Sequence, residues 1–163
     1  MEESTHNGKV QQTSMSKYKN LKEYEQVLMM TEDIIGSGTT DNEQLTKLGI
    51  YLFGSDYIGT FSSDEFPKNI KDGQCFILNT DSSKSKNKTG HWVGFYKLNK
   101  KIWYYDSFAR PTEKLSKFWI NKRLYNTNTI DRDQSFLESD CGSRALSFLI
   151  IFRKYREKCI DVI

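Results

Sequence analysis

Three features of this 163-residue sequence predict an α+β domain, with a mixed, mainly antiparallel sheet packed against a central buried helix. Residues 145–152, ALSFLIIF, are apolar nearly all round, the pattern of a helix surrounded by core. Two apolar runs, His91–Leu98 and Ile102–Tyr105, flank the turn Asn99-Lys100-Lys101 and read as a β-hairpin. The elements run helix, strands, helix, strand, central helix, an order that suits an α+β chain.

In chain order, residues 1–20 are polar and bury too little apolar surface to offset ordering entropy, so they read as a tail. Leu21, Tyr24, Leu28 and Ile35 recur at near-helical spacing and predict a helix over 21–35, ended by Gly36-Ser37-Gly38. Thr40-Asp41-Asn42-Glu43 has the T-x-x-E form of a capping box. Leu45, Leu48 and Leu52 follow it, predicting a helix over 41–52 that Gly54 terminates. Gln74–Thr80, QCFILNT, fits a buried strand. Residues 81–90 form a polar loop carrying Lys84, Lys86 and Lys88, expected to be mobile, and lead into the hairpin. After Pro111, Leu115, Phe118, Trp119 and Leu124 suggest a helix over 112–124. A short strand within Tyr125–Asp131 and a helix from Cys141 to Tyr155 complete the chain. The division is a polar extension, 1–36, and one domain, 37–163.

Composition excludes several classes. Lys plus Arg is 24 and Asp plus Glu is 21, a net charge of +3 that neither demands nor excludes nucleic acid. No run of about 18 apolar residues occurs, which argues against a membrane span. The first residues lack the apolar stretch of a secretory signal. Cys75, Cys141 and Cys159 are odd in number and lack C-x-x-C spacing, which argues against a disulfide framework and a zinc site. The expectation is a reduced, intracellular, soluble protein.

Chemistry is narrowed by scarcity, since the chain holds only two histidines. Cys141 opens the most apolar helix, where backbone N–H groups and the macrodipole favour a thiolate. The competing reading is a small buried hydrophobe, the commoner fate of an isolated cysteine. Gly142 would let a substrate backbone approach. A thiol nucleophile needs a base. His6 lies in the tail, so a Cys–His pair would be Cys141 with His91, at the mouth of a strand. In the hairpin, His91 lies eight residues before Asn99 and Asp106 seven after it. The register therefore makes Asp106 the neighbour able to orient the imidazole. Gln134, seven residues before Cys141, could supply an oxyanion donor with the Cys141 backbone N–H, or be an exposed loop glutamine.

The ordered set His91-Trp92, Asp106 in WYYDSF, Gln134 and Asp140-Cys141-Gly142 resembles the signature of adenovirus-type (adenain-like) cysteine endopeptidases. It also resembles the related SUMO and ubiquitin-like protein proteases. The seven-residue step from Gln134 to Cys141 is closer to the adenoviral branch, and the likeness spans roughly residues 37–155. SGTTDNEQLTKLGIYLFG and DYIGTFSSDEFP resemble the first helix of that family and the segment after it. The resemblance implies the adenain-like fold and catalysis by His91, Asp106, Gln134 and Cys141, with Trp92 and Gly142 at the substrate site. It implies a peptidase that matures viral capsid precursor proteins in the virion and the host cell, cytoplasm or viral factory, and is not secreted; the alternatives are a protease that removes a ubiquitin-like modifier and a non-enzymatic virion protein on a decayed protease fold. A monomer is expected. It also raises a DNA or peptide activator, with Lys84–Lys88 and Arg153, Lys154, Arg156 and Lys158 as basic stretches for a weak DNA contact. The sequence departs from the adenoviral pattern in two places. The acid is Asp106, where adenoviral members usually carry Glu; Asp is normal in the SUMO-protease branch. The stretch before Gln134, TNTIDRD, lacks the cysteine that tethers an activating peptide.

Overall fold

A computed structural model describes residues 19–36, 40–86, 90–127 and 140–161. The chain is α+β. Among the described residues it has three α-helices, α1 (Lys19–Ile35), α2 (Asn42–Phe53) and α3 (Cys141–Tyr155). Five strands form one mixed sheet in sequential order: β1 (Tyr57–Phe61), β2 (Cys75–Asn79), β3 (Trp92–Leu98), β4 (Lys101–Tyr105) and β5 (Leu124–Asn126). The central pairings β2–β3 and β3–β4 are antiparallel and carry the longer ladders, while β1 and β5 add in parallel at the two edges.

The alternation of the central strands builds two cores. Cys75 and Ile77 of β2 face the helices, together with Tyr96, Trp103 and Tyr105. Phe76 and Leu78 face the other side with Val93, Phe95 and Tyr104, where Ile70, Leu115 and Trp119 cover them. Strands buried on both faces read as continuous apolar runs, which is why QCFILNT stands out in the sequence. The hairpin turn is tight because Asn99 and Lys100 both adopt positive φ, +53° and +64°, as a two-residue turn matched to strand twist requires.

The central helix behaves as its composition predicts. Ala145, Leu146, Phe148, Leu149, Ile151 and Phe152 are buried. It lies against β3 at Gly94, where a β-carbon would stand 2.9 Å from Phe148 Cδ1 and 3.0 Å from the Ala145 carbonyl oxygen. Gly94 therefore sets how closely the helix approaches the strand.

Two local expectations are corrected. The N-cap of α2 is Asp41, not Thr40: Asp41 Oδ1 accepts from Gln44 N at 2.8 Å and Gln44 Oε1 from Asp41 N at 3.0 Å. Thr40 faces elsewhere, its hydroxyl lying against Gly142. The segment 112–124 is not a helix. It holds one 3₁₀ turn, Thr112–Lys114, followed by further turns with i+3 bonds such as Trp119 N to Ser116 O. There the Ser116 hydroxyl accepts from Phe118 N at 3.2 Å, a local bond that competes with helix. Leu115 and Trp119 are still buried, so the apolar spacing records packing without helical periodicity. The strand β1 has no counterpart among the elements that the sequence predicts. The strand expected within Tyr125–Asp131 is realised as Leu124–Asn126, and residues 128–131 lie outside the described ones.

We expect Gly94→Ala to lower stability by about 1–3 kcal/mol through overpacking against Phe148 and Ala145. Urea unfolding checks this, and an unchanged midpoint would show that the helix can move away without cost.

Candidate active site

The site forms where the start of β3 meets the end of β4 and the first turn of α3. Register places it there. Gly94 pairs with Tyr105, so His91 and Asp106 lie just past the paired residues on a diagonal. His91 Nε2 stands 2.5 Å from Asp106 Oδ1, and both side chains are nearly removed from solvent. With Nε2 engaged by the carboxylate, Nδ1 is the nitrogen left for the thiol, and Cys141 completes the chain by hydrogen-bonding His91.

Electrostatics follows from these contacts. Burial opposes charge on Asp106, but hydrogen bonds from His91 and Arg110 outweigh it and hold the carboxyl well below the usual carboxylate range. Burial likewise opposes the imidazolium, and the Asp106 and Cys141 contacts reverse this, raising His91. Burial pushes the Cys141 thiol up. The His91 hydrogen bond and charge, with the Trp92 and Gly142 backbone N–H groups, pull it below the ordinary cysteine value. Cys75 provides the contrast, since burial with little compensation pushes that thiol up to about 12. Both remaining cysteines, Cys75 and Cys159, are buried in the core. A thiol drawn down and an imidazole drawn up favour an ion pair, the form in which sulfur attacks a carbonyl.

Asp106 is held by more than the histidine. Its Oδ2 accepts from Arg110 N and Arg110 Nε, both at 2.9 Å, and Oδ1 from Phe108 N at 3.2 Å. The turn closes with Ala109 at φ +55°. Phe108 lies against the His91 ring, centroids 4.8 Å apart, and the Arg110 guanidinium lies over Phe108. Sequence reasoning missed Arg110 and Phe108. The available signal was an arginine four residues after the aspartate, inside a turn ended by Pro111.

The remaining predicted residues divide. Trp92 gives its backbone N–H to Cys141, while its indole Nε1 donates to the Thr40 carbonyl at 3.1 Å. Trp92 also lines a cavity of about 360 Å³ beside the site, with Thr40, Asn79, Asp81 and Ser83. Gly142 is buried, and a β-carbon there would fall 2.0 Å from Thr40 Oγ1 and 3.2 Å from Leu45 Cδ2. The absence of a β-carbon is thus needed for close packing of α3 on the start of α2. Gln134 lies outside the described residues. Of the basic stretch in α3, Arg153 faces Asp56 and Lys154 is bonded to Glu23. Among the described residues no helix is long and apolar enough to cross a membrane.

Neither the protein-family models nor the curated proteins contain a match to this chain.

Two measurements test the electrostatics. Iodoacetamide alkylation of Cys141 should rise with pH around a midpoint below the ordinary thiol value of about 8.5, and His91→Ala should move it upward. A wild-type midpoint at the ordinary value would refute the coupling. Separately, the folded Asp106 titrates below its unfolded value of about 3.9, so its stabilisation is present above that pH and is lost as pH falls through the folded value. Asp106→Asn should therefore unfold more easily than wild type at neutral pH, with the gap closing in acid. Parallel stability curves across that range would contradict the assignment.

Proposed function

We propose that this protein is a cysteine endopeptidase acting through a Cys141–His91–Asp106 triad. The observation that supports it best is the chain from a buried carboxylate to a buried imidazole to a partly exposed thiol at a helix start, with each titration displaced in the direction that nucleophilic catalysis needs.

The chemistry follows the geometry. The Cys141 thiolate attacks the scissile carbonyl carbon, and the carbonyl oxygen gathers negative charge. In our reading the Cys141 backbone N–H and Gln134 stabilise that oxygen. His91, protonated at Nδ1, gives its proton to the departing amine as the C–N bond breaks, leaving a thioester on Cys141. The neutral Nδ1 then takes a proton from water, whose oxygen attacks the thioester. The acid product leaves, and the thiolate–imidazolium pair is restored. Asp106 keeps the imidazole in one tautomer and stabilises its charge throughout.

The ordered residue set, with its likeness to adenain-like endopeptidases, favours viral capsid precursors as substrates and maturation of the virion as the setting. Aspartate as the acid favours a second reading, a protease that removes a ubiquitin-like modifier. Incubation with viral capsid precursors, set against SUMO and ubiquitin vinyl-sulfone probes, separates the two.

Cys141→Ala should abolish cleavage of a capsid precursor. Asp106→Asn should lower kcat by about 10²–10⁴-fold, as expected when the acid that fixes the histidine tautomer is lost. Cleavage of the precursor by Cys141→Ala at the wild-type rate would end the proposal.

A further inference from the structure

The helix α1 lies outside the stretch that carries the catalytic signature, yet it touches the elements on both sides of the site. Tyr24 is buried, and its hydroxyl meets the Tyr105 hydroxyl at 2.9 Å. Tyr105 is the residue directly before Asp106, and its ring stacks on Phe148 of α3 at 5.2 Å. One turn before its end, α1 carries Thr31, whose hydroxyl lies 3.4 Å from that of Ser147 on α3. The next residue, Glu32, hydrogen-bonds the carboxylate of Asp140, the residue directly before Cys141. Asp140 is itself buried and accepts from Arg144 Nε at 3.0 Å.

These contacts have a mechanical meaning. The triad is made of side chains from two separate elements, the β3–β4 hairpin and the first turn of α3. Their alignment depends on the position of the β4 end relative to the α3 start. Tyr24 ties α1 to the first of these, and Glu32 ties it to the second. One helix of 17 residues joins the two ties. We infer that α1 is a positioning element of the catalytic site, with Tyr24 and Glu32 as its positioning residues, holding Asp106 and Cys141 in register across His91. This rests on the reading of Cys141 as the nucleophile, but it concerns the thiol–imidazole alignment and can be tested without any peptide substrate.

Glu32 makes the sign of the effect diagnostic. Partial burial and the contact with Asp140 raise the Glu32 carboxyl above its ordinary value. Asp140, Arg144 and Asp33 are the charged groups around it. If Glu32 acted only through its charge, its removal would leave the Cys141 titration where it is or move it down. If it acts by position, removal loosens the Cys141–His91 contact and moves the titration up.

The test uses the full chain. Tyr24→Phe, Glu32→Ala and Glu32→Gln are compared with wild type in the pH profile of Cys141 alkylation, with thermal melting alongside. Exposed Met29→Ser, on the outer side of α1, is the control. We expect Tyr24→Phe and Glu32→Ala each to raise the alkylation midpoint, so that the rate below it falls by up to about tenfold, one pH unit of displacement. Glu32→Gln, which can still donate to Asp140, should retain the wild-type midpoint. Midpoints unchanged in Tyr24→Phe and Glu32→Ala, or lowered in Glu32→Ala, would overturn the inference. If a variant melts below the assay temperature, the same comparison at lower temperature decides. Raised midpoints in a chain that cleaves no peptide would keep α1 as a positioning element while removing the proposed function.

Discussion

The seating of α3 on β3 is the constraint on which the rest of this structure depends. Gly94 lets the helix lie so close that Phe148 and the Ala145 carbonyl occupy the space a side chain would take. Six apolar side chains of α3 are then enclosed by strands and helices. The same contact fixes the start of α3 beside the start of β3. Cys141 meets His91 because two long elements pack closely, not because either residue sits on an adaptable loop. Gly142 continues this at the helix start, where its missing β-carbon leaves room for Thr40 and Leu45.

Within that frame the hairpin does the rest. An antiparallel pair with a two-residue turn leaves little freedom in register, so the distance along the chain from Asn99 brings the end of β4 near His91, with Phe108 against its ring and Asp106 reaching it on the diagonal. This is why the His91–Asp106 contact was readable from the sequence by counting. The central helix and the β2 run were readable for a related reason: burial on every side leaves a continuous apolar stretch that no solvated element carries.

Other parts were illegible for physical reasons that particular residues expose. Thr40-x-x-Glu43 and Asp41-x-x-Gln44 are both capping boxes on paper. The choice between them is tertiary, because Thr40 is drawn against Gly142 and its carbonyl to the Trp92 indole. Leu115, Phe118 and Trp119 mimic helical spacing while lying in successive turns, with Trp119 held by its indole bond to the Ser63 carbonyl at 3.0 Å. YIGTF is short and interrupted by Gly59 at φ +142°, which weakens the strand signal of β1. Arg110 was hidden because a salt bridge four residues along needs a turn of known shape before it can be recognised.

That turn has a consequence for how this chain can vary. Every acceptor direction of the Asp106 carboxylate is committed: one oxygen to the imidazole and the Phe108 amide, the other to the amide and guanidinium of Arg110. A carboxylate one methylene longer could reach the histidine only by leaving the backbone amides that shape residues 107–110. The length of the acid and the shape of its turn are therefore a single inherited character. An exchange of aspartate for glutamate at this position would have to arrive together with a different turn, so residues 106 and 110 should drift jointly or stay fixed.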